Sequence, residues 1–255
     1  MTEASMTNTP GWRAHIITLF PDMFPGPLGV SLSGRALENG AWSCATHDLR
    51  AYGEGSHRAV DDTPAGGGAG MVLRADIATA AVADARTHAG DVPLLLPSPR
   101  GTPFTQAMAT ELAAGTGAMF LCNRFEGVDE RFIATHDLRE ISVGDYILSG
   151  GEMASFAMLD AIIRLLPGVM GSSASHHEES FTEDLLEYPQ YTRPASWQGH
   201  DIPAVLTSGN HAEIAAWRRA QAQDITATRR PDLWARYVAR HPAAARNNPN
   251  DKKSG

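Results

Sequence analysis

Residues Ser142–Met153, SVGDYILSGGEM, constrain this chain more than any other stretch. Three glycines, Gly144, Gly150 and Gly151, flank the short apolar block Tyr146-Ile147-Leu148, and a helix-compatible apolar run from Ala154 to Leu166 follows at once. Glycine lacks the Cβ that closes much of backbone conformational space, so the chain can turn sharply there or lie close against a ligand. A tight loop between a strand and a buried helix can offer backbone N–H and C=O groups to a small molecule. A plain packing turn satisfies the same pattern, so the loop alone leaves both readings open.

The segments around it set the fold class. Arg13–Phe20 reads as a strand stopped by Pro21, and Pro27–Glu38 as a helix ended by Asn39-Gly40. Residues 53–71 read as a glycine-rich loop, and Ala75–Ala89 as a helix. Val92–Leu96 reads as an apolar strand before the turn-rich 97–101. Thr105–Ala114 then reads as a helix, with further strands at Ala118–Cys122 and Glu140–Val143. Short apolar strands alternating with helices predict an α/β layer fold with a parallel sheet. Ligands in such sheets sit outside the C-terminal strand ends, which selects the loops 97–101, 123–127 and 144–151.

After Pro167-Gly168 the texture changes. Gly171–Ser180, GSSASHHEES, is small and polar like a linker, and His211–Gln223 and Asp232–Arg240 read as amphipathic helices. The expected division is a loose tail over 1–11, an α/β domain over 12–168, a flexible linker over 169–185, a helical domain over 186–242 and a basic tail over 243–255.

Net charge is −8, which argues against non-specific nucleic-acid binding, but its distribution is uneven. From Arg218 to Lys253 nine Lys and Arg face three acids. That end suits a polyanion, and equally a solvated helix face. No apolar run reaches the roughly 20 residues of a membrane span. Residues 1–11 lack the pattern of a secretory signal, and Cys44 and Cys122 lie far apart with no C-x-x-C. A reduced cytosol is the expected compartment.

Other motifs are weaker. Asp61–Met71 (DDTPAGGGAGM) is glycine-rich without the Gly-Lys-Ser/Thr ending of a nucleotide-triphosphate loop. It can admit a flat ring or a phosphate, or serve as a lid without a ligand. Asn123-Arg124-Phe125-Glu126-Gly127 can place Phe125 on a ring and Glu126 on a ribose or amine, or form a local ion pair. His176-His177-Glu178-Glu179 lacks metal-ligand spacing, so no metal is expected. Its carboxylates suit a general base on a hinge, or a solvated linker. Arg164, late on the apolar run, needs a partner or a route to water. It can also meet negative charge on a substrate.

Taken together, TLFPDMF (Thr18–Phe24), SGRALENG (Ser33–Gly40), VDDTPAGGGAGM (Val60–Met71), NRFEGVDER (Asn123–Arg131), SVGDYILSGGEM, LPGVMG (Leu166–Gly171), YTRP (Tyr191–Pro194) and LTSGNHAEIAAWR (Leu206–Arg218) resemble the bacterial tRNA (guanine-N1)-methyltransferases, over about residues 13 to 240. The resemblance implies a SPOUT-type α/β fold: a knotted parallel-sheet methyltransferase domain followed by a small α-helical domain. It implies a homodimer with active sites at the subunit interface. The implied reaction moves a methyl group from S-adenosyl-L-methionine to N1 of the guanosine just 3′ of the anticodon of tRNA. The alternative is a non-catalytic tRNA-binding relative.

By resemblance, the cofactor lies among Leu96, Pro97, Ser98, Pro99 and Arg100, then Asn123, Phe125 and Glu126, then Val143, Gly144, Asp145, Tyr146, Ile147, Leu148, Gly150 and Gly151. Backbone groups of Val143, Tyr146 and Leu148 are expected to bond the adenine. Glu179 matches the proton-accepting base, with Glu178 as its rival, and Arg164 matches the group that steadies charge on guanine O6. Asp61 and Gly70 match positions near the target base, and Ser175, Asn210 and His211 match RNA contacts. The sequence departs from the family at Glu179, where aspartate is usual, and at Asn123 for glycine. It also departs at Phe125 for tyrosine, Arg100 for glutamine and Ala69 for proline.

Overall fold

The computed structural model describes residues 11–170, 180–181 and 183–247. They fall into two compact units divided between Gly171 and Ser172.

In chain order the first unit begins with β1 (Trp12–Thr18), α1 (Ser31–Glu38) and β2 (Trp42–Asp48). Two short strands, β3 (Asp61–Asp62) and β4 (Val72–Leu73), precede α2 (Ala75–Ala89) and β5 (Leu94–Pro103). Then come α3 (Gln106–Ala113), β6 (Gly117–Leu121), β7 (Gly127–Val128), α4 (Glu130–Thr135), β8 (Leu138–Ser142) and α5 (Gly151–Ile163). The main sheet has the order β2-β1-β6-β5-β8, and every pairing in it is parallel.

Successive residues of each inner strand feed opposite faces, as the pleat requires. Ile16, Leu95 and Phe120 pack with α1, α3 and α5, among them Met158, Leu159 and Ile162. Ile17, Leu94 and Met119 pack with the alanine face of α2 and with Phe132 of α4. Helices therefore cover both faces, and the inner strands are largely apolar where they are buried, with His15 and Thr18 of β1 as polar exceptions.

Four expectations change. The helix expected from Pro27 is two pieces: a 3₁₀ turn, Gly26–Gly29, and α1, separated by the extended Val30. The pieces fold tightly together, since a Cβ on Gly34 would lie 2.4 Å from the Gly29 carbonyl oxygen. The strand β2 has no counterpart in the expected pattern, because it is a sheet edge and most of its side chains are exposed or half-buried. The helix α4 spans six residues, too few to show a period; Asp129 caps it and Phe132 anchors it. Finally, β5 runs through the supposed turn at 97–101. Pro97 and Thr102 both pair with Ile141, so the strand bulges between them and resumes.

The second unit holds a short hairpin, β9 (Ser196–Trp197) with β10 (His200–Asp201), and the helices α6 (His211–Arg229) and α7 (Pro231–Arg240). The helix α6 extends past Gln223 because Ala222, Thr226 and Ala227 are buried. Tyr237 is buried on α7, and its hydroxyl accepts from Gln223 Nε2 at 3.0 Å. Among the described residues no helix is long and apolar enough to cross a membrane.

Candidate active site

A cavity of about 550 Å³ opens at the C-terminal ends of β5, β6 and β8. Its walls are the bulged segment of β5 and the loops that follow β6 and β8, and all the expected cofactor residues line it except Asp145. Asp145 is exposed on its loop, where an uncompensated carboxylate stays solvated. Glu140, Ser149 and Val72 line the cavity as well.

Local chemistry shapes each wall. In the β5 bulge, Gly101 lies directly against β8, and a Cβ there would meet the Ile141 nitrogen at 2.3 Å. Arg100 donates to Glu140 Oε1 at 3.0 Å and to Glu130 Oε2 at 2.7 Å. These bonds raise its pKa further above the ordinary arginine value. Arg100 is thus tied to two carboxylates.

The Asn123 amide folds onto its own turn. It donates to the Phe125 carbonyl at 3.3 Å and accepts from the Phe125 N–H at 3.3 Å. Asn123 is not among the positive-φ residues, so its backbone has no need of the family's glycine. Phe125 packs against the α2-side core instead of reaching for a hydroxyl partner.

The third loop closes on itself. Tyr146 N–H donates to the Gly144 carbonyl at 2.9 Å, and Tyr146 Oη donates to the Val143 carbonyl at 3.2 Å. Two of the backbone groups expected to meet an adenine are therefore engaged within the loop. Gly144 has φ 151°, and a Cβ on it would strike the Tyr146 ring at 2.4 Å.

A small sheet, β3-β4-β7, lays the glycine-rich loop beside this cavity. Glu126 N–H donates to the Met71 carbonyl at 2.9 Å. Gly70, with φ 82°, leaves room for Glu126, whose Cγ would lie 2.4 Å from a Cβ at that position. The structure thus brings Gly70 against the cavity wall, while Asp61 is held in β3 opposite Leu73.

Arg164 is half-buried at the C-cap of α5. Asn210 and His211 lie in the second unit. Asn210 caps α6, its Oδ1 accepting from Ala212 N at 3.2 Å and Glu213 N at 3.4 Å, and His211 is exposed in the first turn. Ser175, Glu178 and Glu179 lie outside the described residues. Among the described residues no group of three or more His, Cys, Asp or Glu is arranged to hold a metal ion. Cys44 and Cys122 are unpaired thiols. Burial pushes both upward in pKa, Cys44 to about 11, which keeps them protonated and poorly nucleophilic.

Sequence reasoning missed a buried ion pair behind the cavity. Glu152 has no exposed surface, and its Oε2 accepts from Arg124 Nε at 2.8 Å. The available signal was a carboxylate in the first turn of a mostly apolar helix.

A two-faced α/β unit whose main sheet is all parallel, with a ligand-sized cleft at the edge of that sheet, belongs to the broad class that binds small cofactors there. Comparison with known proteins narrows the class. The family described as tRNA (Guanine-1)-methyltransferase TrmD matches residues 12–236. A tRNA (guanine-N(1)-)-methyltransferase of Bradyrhizobium diazoefficiens is 56% identical, across 98% of this chain and 100% of the relative. The protein of the same description from Roseobacter denitrificans is 60% identical across 88% of this chain and 93% of the relative, and that of Sphingopyxis alaskensis 57% across 92% and 97%. The chain belongs to the tRNA (guanine-1)-methyltransferase family.

Proposed function

We propose that this protein is an enzyme that transfers a methyl group from S-adenosyl-L-methionine to N1 of a guanosine in tRNA, the one just 3′ of the anticodon. The observation that carries the reading is the cavity built from the three strand-end loops, with nearly every residue matched to the cofactor on its walls. Its volume falls within the roughly 300–1,000 Å³ usual for small-molecule sites. Its chemistry also fits: backbone amides and apolar side chains suit an adenosine, and the Glu126 carboxylate suits a cationic sulfonium or ammonium. The names of the relatives do not favour the non-catalytic alternative.

When bound, S-adenosylmethionine supplies an electrophilic methyl group. Guanine N1 carries a proton and is a poor nucleophile, so the protein's task is to remove that proton. Glu179 takes this role in our reading, with Glu178 as the rival. Arg164 offsets the negative charge that grows on O6. Asp61 and Gly70 border the target base.

The finer architecture belongs to the same proposal. We read the first unit as a SPOUT-type trefoil knot and the second as a helical module that grips tRNA. The protein acts as a cytoplasmic homodimer with shared active sites. Support for pairing comes from apolar side chains left on the surface: Val30 is 64% exposed, Ile147 80% and Met153 51%.

The test is incubation of pure protein with labelled S-adenosylmethionine and unmodified tRNA carrying that guanosine. Label is expected in N1-methylguanosine; its absence, with folded protein that binds S-adenosylhomocysteine, overturns the reading. Glu179→Gln is expected to abolish turnover and spare cofactor binding. Retained turnover moves the base to Glu178.

A further inference from the structure

Glu152 is the second residue of α5, and its side chain is wholly enclosed. A carboxylate in such a place is unfavourable unless charge and hydrogen bonds compensate it. Both oxygens are engaged. Thr18 Oγ1 donates to Oε1 at 2.8 Å, and Arg124 Nε donates to Oε2 at 2.8 Å. Thr18 Oγ1 accepts in turn from the Phe20 N–H at 3.0 Å. Arg124 reaches further: its Nη1 donates to Ser149 Oγ at 3.3 Å, and its guanidinium lies 4.7 Å from the centre of the Phe20 ring. Gly150 makes room for the pair, since a Cβ there would lie 2.4 Å from Arg124 Nε and 2.6 Å from Glu152 Oε2.

This cluster joins three segments: the end of β1, the turn after β6 and the loop entering α5. The last two are cavity walls, and they also meet through Gly151 N–H donating to the Asn123 carbonyl at 2.8 Å. Thr18, Arg124 and Glu152 do not line the cavity. Apolar side chains of similar volume would hold α5 against β1 as well as an ion pair does, and often better. What the charged pair adds is direction, because a guanidinium held at fixed angles sets the distance between two loops.

We propose that Glu152 and Arg124, with Thr18, are positioning residues that fix the Asn123–Phe125 turn against the Ser149–Gly151 loop, and so set the affinity for the cofactor. The proposal rests on reading the cavity as the cofactor site.

The test compares wild type with Glu152→Gln, Arg124→Met, the double variant and Thr18→Val. Two measurements are made: thermal unfolding of the protein alone, and S-adenosylhomocysteine affinity by calorimetry. Each single charge removal is expected to lower stability, because the remaining charge stays buried without its partner. The double variant is expected to regain stability yet bind about tenfold more weakly, the scale of a small misplacement of contact groups. Thr18→Val keeps both charges but leaves Glu152 Oε1 without its donor, and is expected to weaken binding severalfold with a moderate loss of stability, with Thr18→Ser restoring both. A purely structural pair predicts that the double variant and Thr18→Val bind like wild type, and that result overturns the proposal. Wild-type protein that binds no S-adenosylhomocysteine overturns instead the reading of the cavity on which it rests.

Discussion

His15 Nδ1 lies 3.2 Å from His47 Nε2, joining neighbouring strands β1 and β2, and the His88 ring of α2 lies 6.2 Å from that of His47. Burial, followed by the His47, Arg13 and His88 charges, lowers His15 from 6.5 to about 4. His47 is also lowered, mainly by burial, with Asp84 opposing. The unfolded chain therefore binds protons between these values that the folded chain refuses. Stability from this contact is full above about pH 6.5 and is lost as pH falls through that value towards 4. Urea unfolding across this range is expected to show that slope, and His15→Gln to flatten it.

Gly101 touches the β8 backbone where β5 bulges, so Gly101→Ala forces the strands apart. The expected loss is about 1–3 kcal/mol of stability, as for other forced overpacking. Weaker S-adenosylhomocysteine binding should accompany it. Gly115→Ala is the control: its nearest neighbour would be the Leu112 carbonyl oxygen at 3.4 Å, and little change is expected. Chemical denaturation with parallel calorimetry reads both effects.

Arg164→Ala is expected to lower kcat/KM by about 100- to 1,000-fold, as loss of a charge-stabilising donor does elsewhere. Cofactor affinity should be unchanged, because Arg164 does not line the cavity. Steady-state methyl transfer beside calorimetry separates the two. An equal loss in both would remove Arg164 from the chemistry.

The basic end is partly neutralised within its own unit. Arg236 and Arg240 both bond Asp184, and Arg230 bonds Asp232 at 2.6 Å. Arg229 has no such acidic partner among the described residues and is exposed. If it meets a tRNA phosphate, Arg229→Ala should lower the slope of log affinity against log salt by about 1. Arg240→Ala should act more on the stability of the second unit. Filter binding across a salt series distinguishes them.

The sequence made the sheet legible where strands are buried on both faces. The segments AMFLC and RAHIIT read correctly because an inner parallel strand is mostly apolar and buried. The polar edge strand β2 escaped, since its pairing is by backbone on one side and leaves its side chains free to be hydrophilic. The cavity loops were legible through their glycines and their place after strands. The Thr18–Arg124–Glu152 cluster was not, because its members lie up to 134 positions apart and meet only through the sheet order. The bonding of the Asn123 amide to its own turn was not legible either, because it depends on the local backbone path.

The slip in β5 separates two duties within one strand. Pro97 and Thr102 share a single partner in Ile141, so the ladder closes across the four intervening residues as though they were an inserted tab. Ser98, Pro99 and Arg100 on that tab border the cleft, and Arg100 also ties it to β8 and α4 through Glu140 and Glu130. Changes at Ser98 and Pro99 can therefore alter what the cleft holds while the paired stretches on either side keep their register.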